Sequence, residues 1–91
     1  MGLRNAFPWI DKHLAKGGII GIETFYQEPE PAFVHPIPSL WTLNELTSFL
    51  MTETKLYAKE LYARQYENIG FDMNGQTRKF FISSLIAQKI N

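Results

Sequence analysis

The sequence predicts a small α+β domain built, in chain order, from a helix, a two-stranded antiparallel ribbon, a long amphipathic helix and a C-terminal helix. Apolar residues recur at helical spacing over residues 41–70, and helical spacing returns after residue 77. Residues 19–26 are instead rich in β-branched side chains, which favours a strand. A chain of 91 residues accommodates one hydrophobic core, so residues 1–91 are expected to form a single domain.

The first helix is predicted at residues 5–16. Asn5 can cap its N-terminus, and Pro8 is placed in the first turn, where a proline costs little. One face is apolar at helical spacing and carries Phe7, Ile10 and Leu14. The glycine pair at 17–18 is expected to end this helix.

The ribbon is predicted from a strand at 19–26 and a short return strand at 32–35. A turn rich in glutamate and proline separates the two strands, and the prolines at 36 and 38 prevent the second strand from growing. A two-stranded ribbon is only marginally stable alone. We therefore expect it to pack on the helices or to gain strands from a partner chain.

The long helix is predicted at residues 41–70. Thr42 and Glu45 have the spacing of a capping box, in which each side chain accepts a hydrogen bond from the backbone N–H of the other residue. Asn68 and Gly70 are expected to end the helix. A broad apolar stripe runs between these ends and contains Leu43, Leu46, Leu50, Tyr57 and Leu61.

The C-terminal segment allows two interpretations. Asn74-Gly75 is a strong signal for a hairpin turn, across which residues 71–73 could pair with residues 76–80. Thr77 can instead cap a helix. The apolar residues of that helix would be Phe81, Leu85 and Ile86. We favour the helix because this apolar pattern is helical rather than alternating, and the hairpin remains the alternative.

Composition excludes several classes of function. The formal net charge is zero, so there is no general electrostatic attraction to nucleic acids or anionic lipids. The chain has no cysteine, which excludes disulfides and thiolate metal sites. No apolar run approaches the roughly 20 residues of a membrane-spanning helix, and the N-terminal residues lack the pattern of a signal peptide. We therefore expect a cytoplasmic protein that does not bind membranes.

The histidines and carboxylates do not converge on a site for chemistry. His13 and His35 are far apart in the chain and lack the spacing of a metal site. Glu53 and Glu60 lie one heptad apart on the predicted long helix, without a second set of ligands facing them. The turn at Asp72 lacks the closing glutamate of a calcium loop. We therefore predict no catalytic residue, no metal and no cofactor.

Two segments are candidates for binding a partner. Residues 23–38 are acidic and punctuated by prolines, and a stiff segment of this kind loses little entropy when it binds. At 78–81 two basic residues stand beside two phenylalanines, a combination that can contact nucleic acid. The candidate binding residues are Phe25, Tyr26, Glu28, Glu30, Phe33, Arg78 and Lys79.

These observations predict a cytosolic protein–protein interaction module without catalytic chemistry, such as an adaptor, regulator or inhibitor of the kind that phages or mobile elements encode. The partner is expected to be another protein or a second copy of the chain. In the dimer, the acidic ribbon would contact a basic helical surface made of Lys55, Lys59, Arg64, Arg78 and Lys79.

The alternative is a nucleic-acid-binding module of winged-helix type, in which the ribbon is the wing and the terminal helix enters the groove. An enzyme is the least favoured of the three hypotheses, because the residues that usually carry acid–base or metal chemistry are few and dispersed. The partner, the biological process and the oligomeric state do not follow from the sequence.

Overall fold

A three-stranded antiparallel sheet with two helices forms the fold in the computed structural model, which describes residues 3–35, 37, 39–52 and 58–90. The elements are α1 (Leu3–His13), β1 (Ile19–Glu30), α2 (Leu43–Thr52), β2 (Ala58–Phe71) and β3 (Thr77–Lys89). The strand order is β1-β3-β2, so the last strand is central. The fold is therefore α+β as predicted, but the predicted order of elements is wrong.

The long helix predicted at 41–70 is wrong, and a short helix, α2, lies at its start. The capping box is present, because Thr42 N–H donates to Glu45 Oε1 and Glu45 N–H donates to Thr42 Oγ1, both at 3.2 Å. Helix α2 is described as far as Thr52, and from Ala58 the chain is strand β2. The predictions that involve Glu53, Lys55 and Tyr57 lie outside the described residues.

The predicted C-terminal helix is absent, and the hairpin alternative is correct. Strand β2 pairs with β3 from Ala58↔Lys89 to Phe71↔Thr77, so Thr77 begins a strand and caps no helix. Gly75 lies in the turn with a φ of 75°, a left-handed conformation that glycine adopts without strain. The strand overrides the helical spacing of the side chains, because it buries alternate residues of β3, from Phe81 to Ala87, against the helices.

The first helix and the ribbon also differ from their predictions. Helix α1 begins at Leu3, so Asn5 lies within it and is not its cap, and Pro8 lies inside the helix beyond its first turn. Strand β1 runs to Glu30, and the return strand predicted at 32–35 does not form. Its place beside β1 is taken by β3, with Ile22 opposite Leu85.

Both helices pack on the same face of the sheet, which we call the helix face. Helix α1 is also fastened to β3 by Lys89, whose Nζ donates to the backbone oxygens of Asp11 and Leu14 at 2.8 and 2.9 Å. Ser83 is fully buried and donates to Trp41 O at 2.9 Å, which holds the entry to α2 against β3. The core is formed by Phe7, Ile22, Trp41, Leu46, Phe49, Leu50, Leu85 and Ala87.

The opposite face of the sheet, which we call the open face, carries the alternate residues of each strand. In one row across the sheet Glu23 lies opposite Ser84, and Ser84 lies opposite Arg64. The chain after β1 passes from the open face, where Phe33 lies 6.4 Å from Phe80 between ring centroids, to the edge of β1. There Trp41 N–H donates to Phe25 O at 2.9 Å. Neither described helix has the length and apolar content needed to cross a membrane.

Candidate functional site

The end of the β2–β3 hairpin exposes a group of large apolar side chains, Ile69, Phe71 and Met73, which we call the hairpin tip. Ile69 and Phe71 are 71% and 73% exposed, and Met73 is fully exposed. Single exposed apolar residues are common, but a cluster at one end of a molecule is characteristic of a binding surface. The hairpin tip is therefore the strongest candidate site in the described part of the chain.

The hairpin tip extends past the helices. Helix α2 begins beside Gln65, whose Oε1 accepts from Leu43 N–H at 3.1 Å. From Gln65 to Phe71 a strand advances about 20 Å. The protein is elongated accordingly, with a longest dimension of 44 Å against 23 and 20 Å. Neither described helix therefore covers the apolar side chains on this part of the helix face.

The turn that carries Met73 is held by Asp72. Asp72 Oδ1 accepts from the backbone N–H groups of Asn74 and Gln76, both at 2.9 Å. The backbone of Asp72 also accepts from Gly75 N–H and donates to Gln76 O, both at 3.0 Å. A side chain that binds the backbone two residues on is a stable turn element. The hydrogen bonds therefore hold the backbone that carries Met73, whose side chain is fully exposed.

Arg78 joins this turn to the chain that follows β1. Arg78 is a buried residue whose Nε donates to Asp72 Oδ2 at 2.7 Å. Its Nη1 donates to the carbonyl oxygens of Pro31 and Ala32. The guanidinium also lies over the ring of Phe33, 4.8 Å from its centroid. A planar group with five donors suits this combination of carboxylate, carbonyls and ring.

Aromatic rings brace the hairpin below the tip on both faces. On the open face Phe80 stacks with Phe25 at 5.7 Å between centroids. Gly70 leaves room for Phe80, since a Cβ at this position would lie 3.1 Å from a ring carbon. On the helix face Tyr26 meets Phe81 edge-on at 5.7 Å. The exposed tip thus stands on a packed aromatic base.

The hydrogen bonds in the turn lower the pKa of Asp72. The largest cause is the bond from Gln76 N–H, followed by the bond from Arg78. A carboxyl whose pKa falls on folding stabilises the folded state above its ordinary pKa of about 4. This stabilisation is lost as the pH falls through the lower, folded pKa.

We therefore expect the turn to loosen at a lower pH than the one at which an ordinary aspartate titrates. Amide chemical shifts of Asn74 and Gln76, followed by NMR during an acid titration, should move together with a midpoint below pH 4, the ordinary range of aspartate. In the Asp72→Asn variant this transition should disappear. A midpoint above 4 in the wild type would contradict the assignment.

Most of the binding residues predicted from sequence form this base rather than an exposed surface. Phe25, Tyr26, Phe33 and Arg78 pack against their own chain. Lys79 binds Glu67, with Nζ and Oε2 3.1 Å apart. These five predicted residues come together around the hairpin. Whether they also contact a partner remains a prediction.

The two predicted glutamates lie on the last part of β1. Glu28 Oε1 accepts from Ile37 N–H, whereas Glu30 is exposed and lies opposite Lys79 in the ladder. The predicted basic helical surface is not formed, because its described members lie on strands: Lys59 and Arg64 on β2, and Arg78 and Lys79 on β3. The prediction of a basic surface made of helices is therefore wrong.

The sequence interpretation missed the hairpin tip itself. Ile69, Phe71 and Met73 precede the Asn-Gly turn, where hairpin loops are usually polar. Apolar residues beside such a turn were the signal that could have revealed an exposed binding surface. They were assigned instead to the end of a helix and to the segment after it.

Other possible sites offer less. His13 has its Nδ1 within hydrogen-bonding distance, 2.8 Å, of Trp9 O and its ring stacked on Trp9. Among the described residues there is no group of three or more histidine, aspartate or glutamate residues that could hold a metal ion. A groove of about 400 Å³ on the open face lies between Phe25, Ile82 and Ile37, and its carboxylate, Glu23, already accepts from Tyr66.

No protein-family model, curated protein or solved structure matches this chain. The fold and the candidate site therefore carry the functional argument.

Proposed function

We propose that this protein is a small interaction module that presents the hairpin tip to an apolar pocket on another protein. The observation that carries this proposal is the exposure of Ile69, Phe71 and Met73 on a turn held in place by Asp72 and Arg78. The proposal includes a cytosolic adaptor, regulator or inhibitor without catalysis of its own. The lack of cysteine is compatible with a reducing compartment.

The rigidity of the tip supports a role in binding. Fully burying one large apolar side chain contributes about 1.5–3 kcal/mol. A turn that is already ordered loses little conformational entropy when it enters a pocket, so more of that free energy appears as affinity. Interfaces commonly obtain most of their affinity from a few such anchors. Phe71 and Met73 have the size and the exposure of anchors of this kind.

The charges around the tip favour a protein over a lipid surface. Peripheral insertion into an anionic membrane requires basic residues beside the apolar anchor. Of the two basic residues near the tip, Arg78 is paired with Asp72 and Lys79 with Glu67. Because each positive charge is balanced locally, the tip has no electrostatic attraction to anionic phospholipids.

The nucleic-acid alternative has less support. A winged-helix module needs a helix after Thr77 to enter the groove, and this segment is strand β3. Arg78 is buried and Lys79 is paired with a carboxylate, so neither side chain of the basic pair is free for a phosphate. Both basic residues that motivated this hypothesis therefore interact with other residues of the protein itself.

The test compares proteins captured from a host-cell lysate by immobilised wild type and by two double variants. Phe71→Ser with Met73→Ser removes the anchors of the tip. Trp9→Ser with Met51→Ser is the matched control, since Trp9 and Met51 are an aromatic residue and a methionine that are exposed on the two helices. Circular dichroism melts should show all three proteins folded.

The expected result is a protein retained by the wild type and by the control, and at least tenfold depleted with the tip variant. Retention of the same proteins by all three baits would show that the tip is not the binding surface. Purified partner and titration calorimetry should then give the same order of affinities.

A further inference from the structure

The half of the open face that lies away from the hairpin tip exposes large apolar side chains among the described residues, although its outermost row also carries Gln88 and Lys59. Ile19, Tyr62 and Ile86 are 60%, 44% and 38% exposed there. Ile86 lies opposite both Gly21 and Tyr62, so these residues form one row across the three strands. An antiparallel sheet that faces water on one side normally carries polar residues there. We call this area the open-face patch.

The charged row beside the patch has opposite signs at its two ends. Glu23 on β1 and Arg64 on β2 lie on either side of Ser84. Two strand spacings separate their backbones by about 10 Å, and the Arg64 guanidinium lies over the ring of Tyr66, 4.7 Å from its centroid. The Tyr66 hydroxyl donates to Glu23 Oε1 at 2.7 Å, so the carboxylate is held over the face of the sheet.

We propose that a second copy of this chain covers the open-face patch, packed face to face about a two-fold axis parallel to the strands. Because β3 is central, this axis places β1 of each copy opposite β2 of the other. Glu23 then meets Arg64 of the second copy, and the same pair forms a second time by symmetry. The result is a sandwich of two aligned sheets with the helices outside.

The charges favour this axis over one perpendicular to the strands. A two-fold axis perpendicular to the strands would place β1 opposite β1 and β2 opposite β2. Glu23 and Arg64 could not meet in that arrangement, and like charges placed opposite each other are unfavourable. Only the axis along the strands brings unlike charges together at both ends of the row.

The shape of the patch fits the same axis. Gly21 has open space where a side chain would stand, with nothing within 4 Å of a Cβ at this position. The axis places Tyr62 of the second copy over Gly21, so the phenol ring fills the space that the glycine leaves. Ile86 lies on the central strand and therefore packs against Ile86 of the second copy. A bulky ring over a glycine is a complementary contact.

The size of the patch predicts weak association. Phe33 and Ile37 lie over the other half of the open face, which leaves an area about three strands wide and seven residues long. At strand spacings of about 4.8 Å and 3.3 Å per residue its flat area is about 300 Å². Stable interfaces bury about 800 Å² per partner. We therefore expect a dimer that dissociates in the micromolar range.

The dimer has a consequence for the proposed function. An axis parallel to the strands leaves both hairpin tips pointing in the same direction, at the end of the sandwich away from the patch. Two tips on one particle can bind a partner with two sites far more tightly than one tip can. This consequence rests on the proposed function, whereas the dimer itself does not.

Sedimentation equilibrium of charge-swap variants over about 5–500 µM tests the dimer. The range extends to high concentration because a weak dimer is populated only there. Glu23→Arg and Arg64→Glu each place like charges opposite each other, and each should weaken association at least tenfold. The double variant restores unlike pairs and should associate within about threefold of the wild type. If Glu23 and Arg64 were needed only for folding of the protomer, the double swap would not restore association. The double variant therefore distinguishes a contact across the dimer from an effect on folding.

Two further variants complete the test. Gly21→Lys should abolish association while leaving the protomer folded, since its side chain enters open space. Phe71→Ser with Met73→Ser should dimerise like the wild type, so failure of the tip proposal and failure of the dimer are distinguishable. A monomeric wild type at every concentration, or a double swap that does not restore association, would overturn the proposal.

Discussion

Leu46→Ala is expected to lower the free energy of unfolding by about 2–5 kcal/mol, the range for truncation of a buried leucine. Leu46 is fully buried in α2, in one cluster with Trp41 and Leu85 from the preceding chain and the central strand. The truncation leaves a cavity between the helix and the sheet. For a domain of this size, each 1 kcal/mol lowers the melting temperature by about 4–8 °C.

Urea denaturation of Leu46→Ala and of Met51→Ala provides the measurement. Met51 lies on the same helix but is largely exposed, so its truncation should change the free energy of unfolding by no more than about 0.5 kcal/mol. If the two variants unfolded at the same urea concentration, the helix would not pack on the sheet through the face that contains Leu46.

Arg78→Met should destabilise the protein more than truncation of any exposed side chain of the hairpin. Methionine keeps most of the buried stem but removes the donors to the carbonyl oxygens of Pro31 and Ala32. Loss of hydrogen bonds from a charged group is expected to cost about 1.5–3 kcal/mol, without counting the contact with Asp72. The chain after β1 should then detach from the base of the hairpin.

Lys79→Met is the matched control, since the same replacement is made at the next residue. Lys79 and Glu67 form an ion pair in which both side chains are about half exposed, and such pairs contribute at most about 1 kcal/mol. The melting temperature of Arg78→Met should therefore be clearly lower than that of Lys79→Met. Equal melting temperatures would mean that Arg78 does not fasten the hairpin.

Structural features that depend on neighbouring residues could be predicted from the sequence. The capping box of Thr42 and Glu45 predicted the start of α2, and Asn74-Gly75 marked the turn, because each depends on residues within one turn of the chain. Strand β2 was interpreted as helix because it consists largely of helix-forming residues and lies at the sheet edge. Because most of its side chains are exposed, apolar and polar residues do not alternate along it as they do along a half-buried strand.

The central strand was missed for a different reason. Phe81 and Leu85 are four residues apart, and this spacing places two side chains on the same side of either a helix or a strand. Ile86 then favoured a helix, but it lies on the open face, opposite Tyr62. Strand β1 likewise pairs with β3 near the other end of the chain, and a local pattern cannot reveal a partner so distant.

The candidate site followed from the fold more than from composition. The sequence identified aromatic and charged residues such as Phe33 and Arg78, which the fold uses to hold the hairpin. The side chains left exposed, Phe71 and Met73, became visible only when the turn was placed at the end of a long ladder. A segment assigned to a helix end gives no reason to look for an exposed anchor.

A rigid turn presents Phe71 and Met73 to solvent, and backbone ¹⁵N relaxation by NMR can test this claim. Order parameters for residues 72–76 should equal those of β2 and β3, at about 0.85, the value of rigid backbone. Values below about 0.6 in the turn, with rigid strands on either side, would contradict the claim, because the apolar side chains would then belong to a flexible loop.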